Sequence, residues 1–108
     1  MPPVCHVVLL TLREDAIDHD KAVALIDRCL KFVPGLIELH FGKNDANIYD
    51  GKTETSGGPN YAISSRHTSG KALGDYQAHP DHIALANYIV SVATKPPQVI
   101  DFVSLSKL

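Results

Sequence analysis

The stretch Val4-Cys5-His6-Val7-Val8-Leu9-Leu10-Thr11 constrains this chain more than any other, because it reads as a β-strand that is apolar on both faces. Side chains of a strand point alternately to its two sides. His6, Val8 and Leu10 therefore share one face, and Cys5, Val7 and Leu9 share the other. Such a strand is buried between two layers. A chain of 108 residues forms one domain, spanning 1–108, with material for a single core.

The other elements follow from periodicity and punctuation. Asp18 or Asp20 can cap a helix running to about Val33, with Ala22, Val23, Ile26, Leu30 and Val33 as its apolar stripe. Pro34-Gly35 stops it, and Leu36 to Phe41 is a second strand ended by Gly42. Residues 43–60 are rich in Asn, Asp, Gly, Thr and Ser without periodicity, a long loop of the kind that forms lids or binding segments. Tyr61 to His67 is a third strand, with Tyr61, Ile63, Ser65 and His67 on one face. Ser69 caps a short helix to about Tyr76, a longer helix covers Asp81 to Ala93, and Val99 to Leu105 is the last strand. The order β-α-β, loop, β-α-α-β is the α+β, ferredoxin-like split βαβ plan with a four-stranded antiparallel sheet. Helices cover one face of that sheet. The other face carries Cys5, Val7 and Leu9, and two such sheets packed face to face in a symmetric homodimer would bury them.

Composition excludes several classes. The hydrophobic fraction of 44% is ordinary, and a net charge of −2 leaves no basic footprint for nucleic acid. No apolar run approaches the roughly 20 residues needed to cross a bilayer, so no membrane partner is expected. Met1-Pro2-Pro3-Val4 lacks the basic start of a secretory leader, and two cysteines, Cys5 and Cys29, are too few for a disulfide framework. A cytoplasmic protein with reduced thiols is the expectation.

The chemistry concentrates in Tyr76-Gln77-Ala78-His79-Pro80-Asp81-His82. Histidine changes charge near neutral pH, and two imidazoles beside a phenol can transfer protons. Pro80 keeps His79 out of the helical region and suits the first turn of a new helix. Tyr76 then closes one helix while His82 opens the next, and both can face one cavity. The alternative is a polar helix junction with solvated histidines.

Taken together, the His-Val-Val-Leu-Leu of the first strand, Val33-Pro34-Gly35-Leu36, Phe41-Gly42-Lys43-Asn44, Tyr76 to His82, and Ile100-Asp101-Phe102 resemble the stress-responsive dimeric α+β barrel (Dabb) family from about Val4 to Ser104. The resemblance implies a homodimer whose two sheets form a barrel. It also implies a small-molecule pocket, since a plant member closes a linear polyketide by intramolecular aldol condensation. That member's tyrosine and histidine fall on Tyr76 and His82, its supporting aspartate on Asp101, and the strand-one histidine on His6. By the same resemblance His6, Val8, Leu10, Ile26, Ile63, Ser65 and His67 are the expected substrate-binding residues.

The expected mechanism is a cofactor-free cyclase or lyase reaction on a small polyketide-like ketone. Neutral His82 would remove the acidic carbon-bound proton, Asp101 would fix its tautomer, and Tyr76 would donate to the developing oxyanion. Ser65 and His67 depart from the family's usual apolar strand, and Ala22, Val23 and Ile26 from the bulky aromatics of the plant cyclase, which implies a differently shaped and more polar pocket. Two other readings stand beside this one: a stress-responsive small-molecule-binding dimer without turnover, and a cofactor-independent oxygenase. His79-x-x-His82 has helical metal-ligand spacing, but Pro80 lies between the two and no metal is expected; His79 reads as structural.

Overall fold

The computed structural model describes residues 2–106. Four strands, β1 (Val4–Leu10), β2 (Leu36–Lys43), β3 (Tyr61–His67) and β4 (Gln98–Val103), form one sheet in the order β2-β3-β1-β4. Every adjacent pair is antiparallel. Three helices, α1 (His19–Phe32), α2 (Gly70–Ala78) and α3 (Pro80–Val92), cover one face, giving the ferredoxin-like α+β architecture. A short 3-10 turn at Glu14–Ala16 precedes α1 and had no sequence signal.

Capping residues start the helices where expected. The Asp18 carboxylate accepts from Lys21 N–H at 3.1 Å at the head of α1, and Ser69 Oγ accepts from Ala72 N–H at 3.1 Å at the head of α2. His79 is extended, with φ −70° and ψ 137°, as a residue before proline prefers. Its Nδ1 accepts from Asp81 N–H at 3.1 Å, so His79 caps α3 and its ring serves the backbone. Helix α2 continues to Ala78, two residues past Tyr76, because only the proline itself interrupts it.

Two expectations need correction. Gly42 does not end β2, which runs on to Lys43 with Gly42 paired to Ala62, since a glycine can stay in register without a side chain to pack. The inward stripe of α1 is also rotated from the one expected. Ala22, Cys29 and Val33 are buried and Leu25 and Ile26 pack on them, whereas Val23 and Leu30 are exposed on the flank.

The core lies between sheet and helices, where Val4, Leu10, Leu39, Tyr61 and Ile63 meet Cys29, Leu73, Tyr76, Leu85 and Ile89. Gly35 joins α1 to β2 with φ +80°, and a Cβ there would stand 2.6 Å from the Ala72 Cβ. Only glycine satisfies both demands. The open face of the sheet carries Cys5, Val7 and Leu9 beside Ile100 and Phe102 of the edge strand β4. Ile100 is 65% exposed and Phe102 47%.

Candidate active site

A cavity of about 370 Å³ opens between β1, β4 and the helix pair α2–α3. Its apolar wall includes Val8, Leu10 and Ile63 from the sheet and Leu85, Ala86 and Ile89 from α3. Its polar members are His6, Tyr76, Gln77, His82 and Asp101. A hollow of about 440 Å³ lies elsewhere, on the open face under the 44–60 loop among Leu9, Gly42, Ala62 and Ser64. Titratable groups in an apolar cavity mark the smaller space as the one suited to chemistry.

Tyr76 is the hub. It is 1% exposed, and its ring centroid stands 4.2 Å from that of His82, 4.7 Å from His67 and 6.3 Å from His6. The helix break at His79-Pro80 produces the first of these contacts, because it folds the start of α3 back over the end of α2. Burial, with a smaller contribution from Cys29, raises the Tyr76 hydroxyl pKa above its ordinary value, so the phenol stays protonated at neutral pH.

His82 is half-buried, and its Nδ1–H donates to the Gln77 carbonyl at 3.2 Å. A carbonyl only accepts, so the proton sits on Nδ1 and Nε2 carries a bare lone pair. Burial lowers the His82 pKa, the Gln77 carbonyl raises it, and the repulsion that would arise with both His82 and His6 protonated lowers it again, for a net downward shift. The neutral imidazole is the form favoured at pH 7.

Asp101 is not where the resemblance implied. Its carboxylate accepts from His6 Nδ1–H, so it orients His6 and not His82. The reason is register: His6 of β1 stands directly opposite Asp101 of β4, and facing residues on adjacent antiparallel strands share one side of the sheet.

Ser65 and His67 are also placed differently. They lie on the helix-facing side of β3 but are buried, at 3% and 0% exposure, with the Tyr76 ring against His67, and do not line the cavity. Ser65 Oγ and His67 Nε2 bond to each other at 2.8 Å, while His67 Nδ1 has no partner among the described residues. Burial above all, then the repulsion a protonated His67 would meet from a protonated His6, pushes the His67 pKa down to about 4. The cavity is therefore less polar than expected. Ile26 belongs to another, smaller hollow of about 200 Å³ beneath α1, floored by Phe41 and Tyr61. These two rings stack at 5.5 Å.

Sequence reasoning passed over Gln77, whose backbone and side chain both serve the site, although it sits beside Tyr76. Val90, Pro97 and Val99 complete the rim. The buried thiol of Cys29 is pushed up to about 11 by burial and by Asp81, too high for a nucleophile. Among the described residues no group of three or more His, Cys, Asp or Glu side chains is placed to hold a metal ion, and no helix is long and apolar enough to cross a membrane.

Residues 4–104 match the stress responsive A/B barrel domain family, Dabb, and the chain belongs to it. Solved structures agree on the fold. A dimeric ferredoxin-like protein of unknown function from Jannaschia sp. CCS1 superposes with a TM-score of 0.72 at 27% identity, covering 93% of this chain and 97% of that one. A second dimeric ferredoxin-like protein, from Thermobifida fusca YX, gives 0.71 at 18% identity, covering 95% and 92%. The hydroxynitrile lyase of Passiflora edulis gives 0.75 at 14% identity, covering 99% and 97%. No curated protein matches the chain by sequence.

Proposed function

We propose that this protein is a homodimeric, cofactor-free lyase or cyclase acting on a small polyketide-like ketone by acid–base, aldol-type chemistry. The observation that carries the reading is the pairing in one apolar cavity of Tyr76 and His82, ring centroids 4.2 Å apart, with the bare Nε2 of His82 as base. The two pKa shifts have useful directions. A lowered His82 is neutral and able to accept a proton, and a raised Tyr76 is protonated and able to donate a hydrogen bond.

The reaction follows from these forms. His82 Nε2 takes a proton from the carbon between or beside the carbonyls, and the electron pair moves onto the carbonyl oxygen as an enolate. The Tyr76 hydroxyl donates a hydrogen bond to that oxygen. The enolate carbon attacks a second carbonyl of the same molecule, a carbon–carbon bond forms, and the new alkoxide takes the proton back from His82. The reverse sequence cleaves the bond. Holding both ends of a flexible substrate in a cavity of about 370 Å³ adds the advantage of proximity. One protein of this fold is a hydroxynitrile lyase, so the scaffold accommodates lyase chemistry.

The dimer is supported by the apolar open face, where Leu9, Ile100 and Phe102 are exposed, and by the dimeric state of the Jannaschia relative. The site lies on the opposite, helix-covered face, so each protomer carries its own.

The deciding experiment is an oxygen-free assay with chelator, scored by mass spectrometry over a panel of linear poly-β-keto compounds. Product should form, and His82→Ala should lose about 10²–10⁴-fold in rate. Tyr76→Phe should lose less, because it removes one hydrogen bond and keeps the ring. Product only in the presence of oxygen would establish the oxygenase reading instead, and absence of product across the panel would leave a binding protein.

A further inference from the structure

Gln77 touches both cavity histidines through different groups. Its main-chain carbonyl accepts from His82 Nδ1–H at 3.2 Å. Its side-chain Nε2 lies 3.5 Å from His6 Nε2. Asp101 accepts from the other nitrogen of His6. A carboxylate offers no proton, so Nδ1 of His6 carries the hydrogen and Nε2 of the neutral ring is a lone pair. The amide NH₂ is then the end of Gln77 that suits it. In their neutral forms both histidines hold the same tautomer, yet their lone pairs differ: that of His6 faces a donor, and that of His82 meets no partner among the described residues.

We infer that Gln77 is a positioning residue that assigns the base, its amide occupying the His6 lone pair while its carbonyl turns the His82 lone pair into the cavity. The inference rests on the proton-transfer reading above and explains a feature that reading leaves open. His6, backed by Asp101, has the orientation of a good general base, as a histidine held by a carboxylate does in hydrolases. The Gln77 amide holds it back. With the amide withdrawn, His6 is the second base of the site, on the opposite wall from His82. Gln77 is an exposed residue of α2 at the cavity wall, so its amide can move without disturbing the core.

The test begins without substrate. Ring ¹⁵N spectra of the full-length protein at neutral pH should show His6 and His82 both protonated on Nδ1, with the His6 Nε2 signal displaced toward the hydrogen-bonded side of the His82 signal. Gln77→Met keeps the length of the side chain and removes the donor, so the His6 Nε2 signal should move to the bare position while His82 stays in place. Gln77→Glu offers an acceptor instead and should drive His6 Nε2 to its protonated signal. A His6 signal unchanged in both variants, or a wild-type His6 protonated on Nε2, would overturn the inference whatever the catalytic result. The second arm uses turnover: His82→Ala combined with Gln77→Met should recover about fivefold to tenfold over His82→Ala alone, the weight of one released hydrogen bond. A double variant no faster than His82→Ala would show that His6 is not a base in waiting.

Discussion

At the scale of single residues, His67 shows how burial turns an ordinary side chain into a pH sensor of stability. It is completely buried, with one ring nitrogen unpartnered among the described residues. Its folded pKa of about 4 lies below the ordinary 6.5. The unfolded chain therefore binds the His67 proton first as pH falls. Stability from the neutral ring is fully present above about pH 6.5 and is lost progressively down to pH 4. The loss should be on the order of 3 kcal/mol by the linkage of pKa to free energy. Urea midpoints at pH 7 and pH 4.5 should show it, and His67→Phe should flatten the difference. An equal fall in the variant would place the acid sensitivity on other groups.

At the scale of elements, the junctions matter more than the helices and strands they join. The α2–α3 break sets the geometry of the candidate site, because His79 caps α3 while Pro80 begins it, and Tyr76 and His82 are thereby folded into ring contact. The α1–β2 junction sets the packing of α2 against the sheet. Gly35→Ala would impose a left-handed backbone on a residue with a Cβ and drive that Cβ into Ala72. We expect a loss of about 2–4 kcal/mol, strain and overpacking together, measured as a lower urea midpoint. A midpoint within error of the wild type would mean that the α1–β2 turn relaxes freely.

At the scale of the whole molecule, the uncovered sheet face is the feature that a single chain leaves unresolved. Edge strand β4 is exposed along its whole length, with Ile100 and Phe102 toward the open side. An apolar edge of this kind is an association surface. Ile100→Asp provides a clean test, since a side chain 65% exposed in one protomer can carry a charge without harming its fold. In the dimer the same charge would be buried without a partner. Sedimentation at micromolar concentration should give a dimer for the wild type and a folded monomer for Ile100→Asp. A wild-type monomer, or a variant that stays dimeric, would remove the sheet face as the interface.

The element order, the caps at Asp18 and Ser69, the stop at Pro34-Gly35 and the strand β3 were legible in the sequence, because periodicity, capping and turn chemistry act over a few neighbouring residues. So was the company of Tyr76 and His82, six residues apart across one proline. The stripe of α1 was legible only approximately, since Val23 and Leu30 are as apolar as the residues that face the core and only packing decided which flank turned inward. The partner of Asp101 was beyond local reading, because His6 and Asp101 are 95 residues apart and meet through the register of β1 with β4. The burial of Ser65 and His67 away from the cavity, and the reach of Gln77 between two histidines, belong to the same order of fact. Local pattern was enough to mark which residues could do chemistry and on which elements they would stand; which nitrogen faces which oxygen came from strand pairing and helix packing, because these set distances that no local pattern encodes.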